Sequence, residues 1–290
     1  MTNISEITEK AYAKINLWLE VTDKRPDGYH DLVSVMQSIS LHDTVIIVLS
    51  DSKTIEINCS DPTVPSDARN IAYKAAELFY KKLGKACEGT RITIEKRIPS
   101  EAGLGGGSAD AASVLRGLNR LYGCPFDTDT LRKISVSLGA DVPFCISGGT
   151  MLAEGIGEIL TPLQTITKEN GIFFTVCRGN DRMSTPKAFG ELDSISYTNK
   201  DPAAILNAIE SGEAEAIAKG LFNRFETVVP PDKEISDLLL QNGALNVLLS
   251  GSGTALYGIF NSLETAEKAC EKVKDIGVFA CTACAEAPSI

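Results

Sequence analysis

Four glycines crowd the five residues from Gly103 to Gly107, and the run Gly103-Leu104-Gly105-Gly106-Gly107-Ser108 leads straight into a helical pattern at Ala109. Backbone that bare can close tightly around a ligand. The start of a helix adds unpaired N–H groups and the positive end of a dipole. The combination suits an anion, above all the phosphates of a nucleotide. The commoner phosphate signatures do not fit. No Lys-Ser/Thr pair follows, as Walker A requires, and Ser108 stands where the dinucleotide fingerprint needs glycine or alanine. The His-Arg-Asp and Asp-Phe-Gly pair of eukaryotic-type protein kinases is absent. The alternative reading is a flexible loop before a helix.

The elements that must hold this loop are legible as periodicities. Residues 11–21 alternate: Ala11, Ala13, Ile15, Leu17, Leu19 and Val21 on one face, Tyr12, Lys14, Asn16, Trp18 and Glu20 on the other. This predicts a strand with one buried face, followed by a turn from Arg25 to His30. Further strands are expected at "DTVIIVL", "KTIEIN" and from Thr90 to Ile98. Helices are expected over Ser66–Leu83, Ala109–Tyr122 (capped by Ser108 or Asp110) and Thr128–Leu138. Beyond about residue 155 the pattern changes. A strand at "GIFFTVC" precedes a helix opened by Ser184, Thr185 and Pro186, then acidic helical stretches broken by Pro230-Pro231. Two strands flank "SGSG", and a last helix covers 263–274. Strands and helices mix without a strict βαβ rhythm, which implies an α+β chain of two domains, 1–155 and 156–290.

Composition limits the function classes. A net charge of −10 argues against non-specific nucleic-acid binding and against a polybasic membrane surface. No apolar run approaches the ~20 residues of a membrane-spanning helix. Glu6, Glu9 and Lys10 interrupt the N-terminal stretch, so no signal peptide is read there and a cytoplasmic location is expected. The eight cysteines are expected to be reduced and buried. Cys281 and Cys284 form a lone C-x-x-C, without the second pair or histidines that a zinc site needs.

Three stretches resemble the motifs of the GHMP kinases, in the right order: "AYAKINLWLEVTDKRPDGYHDL", "PSEAGLGGGSADAA" and "LLSGSGTALYGIF". Within that superfamily, "LGADVPFCISGGTMLAEGIGE" and "FNRFETVV" are similar to the branch whose acceptor is 4-(cytidine 5'-diphospho)-2-C-methyl-D-erythritol. The resemblance implies a two-domain GHMP kinase fold with the active site in the cleft between an N-terminal ATP-binding domain and a C-terminal substrate-side domain. It implies an ATP-dependent kinase that phosphorylates the acceptor's 2-hydroxyl, with ATP as donor, Mg2+ as cofactor and a small cytidine diphosphate as substrate. Ala109 departs from the family, which often carries serine there, and Trp18 is bulkier than expected beside the substrate cleft.

The same resemblance assigns roles. Lys14 and Asp141 become the catalytic pair; by themselves they read equally as a solvated edge lysine and a helix N-cap ahead of Pro143. Gly103, Leu104, Gly105, Gly106, Gly107 and Ser108 would cradle the ATP phosphates. Asn70 and Lys96 would contact nucleotide, or serve as a helix cap and a solvent-facing strand lysine. Tyr29 would stack on the cytosine and His30 bond its edge, with Asn16 and Thr185 also touching substrate. Gly251, Ser252 and Gly253 would support the cleft, or form a plain hairpin turn. His42 is expected on the surface. The rival functions are a GHMP kinase for mevalonate, homoserine or a sugar, and a ligand sensor that shares the fold without catalysis. "DGYH" weighs against the first rival, and the joint presence of Lys14 and Asp141 against the second.

Overall fold

The computed structural model describes residues 5–179, 183–276 and 279–286. In chain order the elements of the first half are β1 (Glu6–Lys24), β2 (His30–Leu49), β3 (Ile55–Cys59), α1 (Ile71–Leu83), β4 (Thr90–Glu95), α2 (Gly106–Leu121), α3 (Thr128–Ser135), α4 (Val142–Ser147), β5 (Thr150–Glu154) and β6 (Ile159–Pro162). They continue as β7 (Phe173–Arg178), α5 (Thr185–Leu192), α6 (Ala203–Ser211), α7 (Ala214–Gly220), β8 (Phe222–Asn223), α8 (Lys233–Gln241), β9 (Asn246–Leu249), β10 (Ala255–Phe260), α9 (Leu263–Lys274) and β11 (Phe279–Cys284).

Two sheets carry the fold. The first runs β3-β4-β2-β1-β8, with β5 on β2 and β6 on β5. The second is antiparallel, in the order β11-β7-β10-β9. One core lies between the first sheet and α1, α2 and α4, built from residues such as Ile47, Phe79, Ile92, Leu115 and Phe144. A second packs α5, α8 and α9 on the outer face of the four-stranded sheet, around Leu239, Leu256, Phe260 and Cys270. The third joins the sheets: Ile15 and Leu17 of β1 meet Phe174 and Tyr257 of the second sheet and Ile205 and Ile217 of α6 and α7. Tyr257 adds a hydrogen bond from its hydroxyl to the Asn16 carbonyl (2.9 Å). No helix among the described residues is long and apolar enough to cross a membrane.

Several sequence expectations change. The second face of β1 is buried as well: Lys14, Asn16 and Glu20 are all below 5 % exposed. Loops and the second half of the chain cover that face. β1 also changes register between Asn16 and Trp18. The irregularity takes Trp18 out of the cleft and into the shared core, 5.7 Å from the Phe222 ring, while Leu19 faces the cleft instead. Bulges re-aim side chains in this way.

The helix expected from Ser66 starts at Ile71, because the Asn70 side chain accepts the Ala72 N–H (2.9 Å) and fixes the cap. The strand expected to reach Ile98 ends at Glu95. α2 starts at Gly106, inside the glycine run, so neither Ser108 nor Asp110 caps it; Gly105 holds the cap position in the left-handed region. Ser184 precedes α5 without a side-chain cap bond. His42 is half-buried, with Nδ1 2.7 Å from the Ser40 carbonyl and its ring against Tyr12. All eight thiols are free, but only Cys145, Cys177 and Cys270 are buried. Cys281 and Cys284 lie three apart on β11, and strand alternation sends them to opposite faces.

Candidate active site

The glycine loop is clamped from two sides. The Lys14 N–H donates to the Leu104 carbonyl (2.9 Å), and Leu104 puts its own side chain into the core. From the second half, the Ser250 hydroxyl donates to the Gly103 carbonyl (3.0 Å) and the Ala255 N–H to the Ala102 carbonyl (3.0 Å). Gly103 is required there: its φ is +82°, and a Cβ would stand 2.2 Å from the Ser250 carbonyl oxygen. The loop then passes into α2, whose first intrahelical bond runs from the Ala109 N–H to the Gly105 carbonyl (2.8 Å). The amides of Gly106, Gly107 and Ser108 therefore have no acceptor within the helix, the arrangement that binds phosphate.

Two cavities flank this loop. One, of about 410 Å³, is lined by Asn70, Lys96, Ser100, the loop from Gly103 to Ser108, and Asp110. The other, of about 290 Å³, is lined by Lys14, Asn16, Ser34, Asp141, Thr185 and Phe189 among others. Gly103, Gly105 and Ser108 line both. The loop is thus a partition with one opening toward each side.

In the second cavity Lys14 is the central cation. Its Nζ donates to Asn16 Oδ1 (2.9 Å) and lies 3.8 Å from Asp141 Oδ2. Asn16 in turn donates to Ser34 Oγ (2.9 Å), and Ser34 to the Trp18 carbonyl (2.7 Å). Asp141 occupies the N-cap position of α4, yet its side chain makes no cap bond. The carboxylate, about one-third exposed, faces the cavity. Across from it, Thr185 Oγ1 accepts a bond from the Ser252 hydroxyl (3.0 Å).

Tyr29 and His30 stand apart from this cavity's lining. Tyr29 is 60 % exposed on the turn between β1 and β2. The His30 ring stacks on Phe189, which does line the cavity, with centroids 4.5 Å apart. His30 Nε2 is 2.8 Å from Asp193 Oδ1, and Lys24 donates to the other Asp193 oxygen. Hydrogen bonds from Lys24 and His30 hold the Asp193 carboxyl below the ordinary carboxylate value.

In the first cavity, Asn70 spends its side chain on the fold: Oδ1 caps α1 and Nδ2 donates to the Pro65 carbonyl (2.7 Å). Lys96 is a buried ammonium rather than a solvent-facing one. It donates to Asp43 Oδ2 (2.5 Å) and Asp110 Oδ2 (2.7 Å). Burial acts to lower its pKa, but the two carboxylates outweigh this and hold it above the ordinary lysine value. Asp43 also accepts from the backbone amides of Arg97 and Ile98, so it pins the approach to the loop. Burial pushes the Asp110 carboxyl up to about 7; Lys96 opposes that shift and Asp43 adds to it. Among the described residues, no group of three or more His, Cys, Asp or Glu could hold a metal ion.

Reading the sequence missed Ser34, Asp43, Asp110, Phe189 and Asp193. Phe189 carried a usable signal, since it sits four residues after Thr185 and shares its helix face. Asp43 carried none, because its partner Lys96 is 53 residues away.

Comparison with known proteins agrees with the fold. Two family models match: GHMP kinases N terminal domain over residues 70–149 and GHMP kinases C terminal over 199–278. The 4-diphosphocytidyl-2-C-methyl-D-erythritol kinase of Caldicellulosiruptor saccharolyticus is 41% identical over 271 residues, 91% of this chain and 92% of that protein. The protein of that name from Desulfitobacterium hafniense is 42% identical over 263 residues, 89% and 88% of the two chains. A crystal structure of 4-(cytidine 5'-diphospho)-2C-methyl-D-erythritol kinase superposes with a TM-score of 0.79 at 33% identity, covering 97% of this chain and 100% of that one. Homoserine kinase from Cytophaga hutchinsonii shares the fold, with a TM-score of 0.77 at 18% identity over 99% and 96% of the chains.

Proposed function

We propose, for a chain that belongs to the 4-diphosphocytidyl-2-C-methyl-D-erythritol kinases among the GHMP kinases, that ATP seats over Asn70 and Lys96 and the acceptor over Lys14 and Asp141. The chain is an ATP-dependent kinase of α+β, two-domain GHMP fold. Its reaction moves the γ-phosphate of ATP to the 2-hydroxyl of 4-(cytidine 5'-diphospho)-2-C-methyl-D-erythritol, a step toward isoprenoid precursors outside the mevalonate route. The observation that carries the site assignment is the partition: Gly103, Gly105 and Ser108 line both cavities, so a phosphate on the loop is open to a hydroxyl on the other side.

Phosphoryl transfer is chiefly a matter of positioning and charge stabilisation. The free amides of Gly106, Gly107 and Ser108 hold the phosphates. Magnesium brought in with ATP would supply positive charge against the phosphates beside these amides. On the far side, Asn16 orients the Lys14 ammonium, which stabilises charge on the phosphoryl oxygens as they transfer. Asp141 takes the proton of the attacking hydroxyl. An aspartate is a weak base, so it accepts that proton late, when bond formation has already acidified the hydroxyl.

In this reading residues 1–155 supply the ATP side and, through Lys14, Asn16 and Asp141, one wall of the acceptor cavity, while residues 156–290 supply the facing wall, from which Thr185 and Phe189 reach in. Thr185 touches substrate beside Ser252. Tyr29 closes on the cytosine from the exposed turn, and the aromatic face of Phe189, now covered by His30, becomes available to the base when His30 turns to its edge.

The test mixes the protein with MgATP and equal amounts of 4-(cytidine 5'-diphospho)-2-C-methyl-D-erythritol, mevalonate and homoserine, and follows phosphate gain by mass spectrometry. Phosphate on the cytidine compound alone is expected. Phosphate on another acceptor would remove the cytidine reading and keep the loop and catalytic pair. No phosphate on any acceptor, with ATP still bound, would favour a sensor.

A further inference from the structure

Beneath the first turn of α2 lies an ion cluster whose charges do not balance. Lys96, Asp43 and Asp110 are all less than 8 % exposed at the side chain. Two carboxylates share one ammonium. Both Asp43 oxygens are engaged: one accepts from Lys96 and the other from the Arg97 and Ile98 amides. Asp110 is half-engaged. Its Oδ2 accepts from Lys96 (2.7 Å), while its buried Oδ1 has no hydrogen-bond partner. A buried carboxylate oxygen left unpaired is costly as an anion, and protonation removes the charge.

The cluster belongs to the loop cavity. Lys96 and Asp110 both line it, and a Cβ built on Gly106 would lie only 3.4 Å from Lys96 Nζ. The other titratable or charged groups around the cluster are two thiols, Cys59 at the end of β3 and Cys145 of α4, then Asp61, which faces Lys96 and Cys59, and Arg116, Lys14 and Asp141, which surround Cys145. Burial holds both thiols above the ordinary value, so they stay neutral near pH 7. The charges in direct contact there are those of Asp43, Lys96 and Asp110. With Asp110 ionised the cluster carries one net negative charge, directly under amides that would receive phosphate. With Asp110 protonated it is neutral.

Resting on the reading that the loop holds nucleotide phosphates, we infer that Asp110 is a positioning residue of the nucleotide site that takes up a proton when nucleotide binds. The proton comes from solvent and lands on the Asp110 carboxyl, where the neighbouring Asp43 carboxylate favours it; no other covalent bond is made or broken. Phosphate charge above the cluster favours the neutral carboxyl, and by linkage the neutral carboxyl favours the phosphates. Lys96 then remains paired with Asp43 and keeps its place under the helix.

The experiment is calorimetric titration of the whole protein with MgADP, at pH 7.5 to 8, in buffers of different ionisation enthalpy. The expected result is net proton uptake, and a Kd that weakens with rising pH by up to about tenfold per pH unit. Asp110→Asn should bind with a Kd that lacks this pH dependence and with the uptake removed. The nucleotide's own phosphate ionisation is common to both proteins and cancels in the difference. Infrared difference spectra of the unsubstituted protein provide a readout that does not depend on the variant folding. MgADP binding should produce the carbonyl band of a protonated carboxylic acid. Binding without uptake and without that band would overturn the inference and leave the nucleotide site standing, as would uptake unchanged in Asp110→Asn. Failure of MgADP to bind at any pH would overturn the nucleotide site itself, and the inference with it.

Discussion

Lys14 Nζ stands 3.8 Å from Asp141 Oδ2, close enough for an ion pair and too far for a hydrogen bond. Asn16 accepts one of the three hydrogen bonds that the same ammonium can donate, at 2.9 Å. The gap leaves the carboxylate free to accept a proton from a third group entering the cavity.

Asp141→Asn should lower kcat by about 10²–10⁴-fold, the usual worth of a positioned base, while nucleotide still binds. Lys14→Ala should lower kcat on a similar scale. Asn16→Ala removes the group that orients Lys14, along with its bond to Ser34 and its place in the acceptor cavity, and should cost about ten- to a hundredfold in kcat. Steady-state kinetics with a separate nucleotide titration checks all three. Near-normal turnover in Asp141→Asn would remove it as the base.

Gly103→Ala forces a Cβ to within 2.2 Å of a backbone carbonyl at a φ of +82°. Strain of at least ~1–3 kcal/mol is expected, with a lower Tm and a weakened hold on ATP. Gly107→Ala makes the matched control. Gly107 is helical, and its nearest neighbour to a new Cβ is an Ile71 methyl at 3.5 Å. Replacing a helical glycine there should raise stability by about 0.5–1 kcal/mol. Equal Tm losses in both would contradict the loop geometry.

Glu20 and Arg224 meet as a buried fork, at 2.7 and 2.6 Å, and tie β1 to the turn after β8. Arg224 also donates to the Thr198 carbonyl, and Glu20 accepts the Lys200 amide. Removing one partner strands the other, so Glu20→Gln should destabilise by about 3–5 kcal/mol. Chemical denaturation measures it. A loss under about 0.5 kcal/mol, the scale of ordinary surface changes, would show that the pair is not an anchor.

Asp110 predicts a stability change with pH. Its folded pKa, about 7, lies above the ordinary carboxylate value, so the folded state binds more protons between those two values. Stability from this group is therefore full at low pH, falls as pH rises from about 4 toward 7 and is level above that. Asp110→Asn carries no such charge. Its stability relative to the unsubstituted protein should rise between pH 4.5 and 8. Parallel denaturant midpoints across that range would contradict the assignment.

Phe189→Ala should raise KM for the cytidine acceptor by the worth of one base stack, about 1–3 kcal/mol, and leave KM for ATP unchanged. Competition by free CDP distinguishes base recognition from a general packing loss. If both KM values rise together, Phe189 is structural.

The local devices of this protein are legible along its chain. The glycine run before a helix, the alternation of β1, the α5 start at Thr185 and Pro186 and the order of three motifs are all short-range patterns. Backbone sterics and side-chain periodicity write them within a few residues. Which charges meet depends on how those devices pack in three dimensions. Lys96 reads as an exposed strand lysine until Asp43, 53 residues earlier, and Asp110, 14 later, enclose it. Trp18 reads as a cleft residue until the register shift in β1 turns it into the core. Pairing a buried charge depends on distance through space, in a medium where a mispaired ion is costly. No periodicity along the chain records that distance, so the ion cluster under the loop became visible only when the two sheets and α2 were packed.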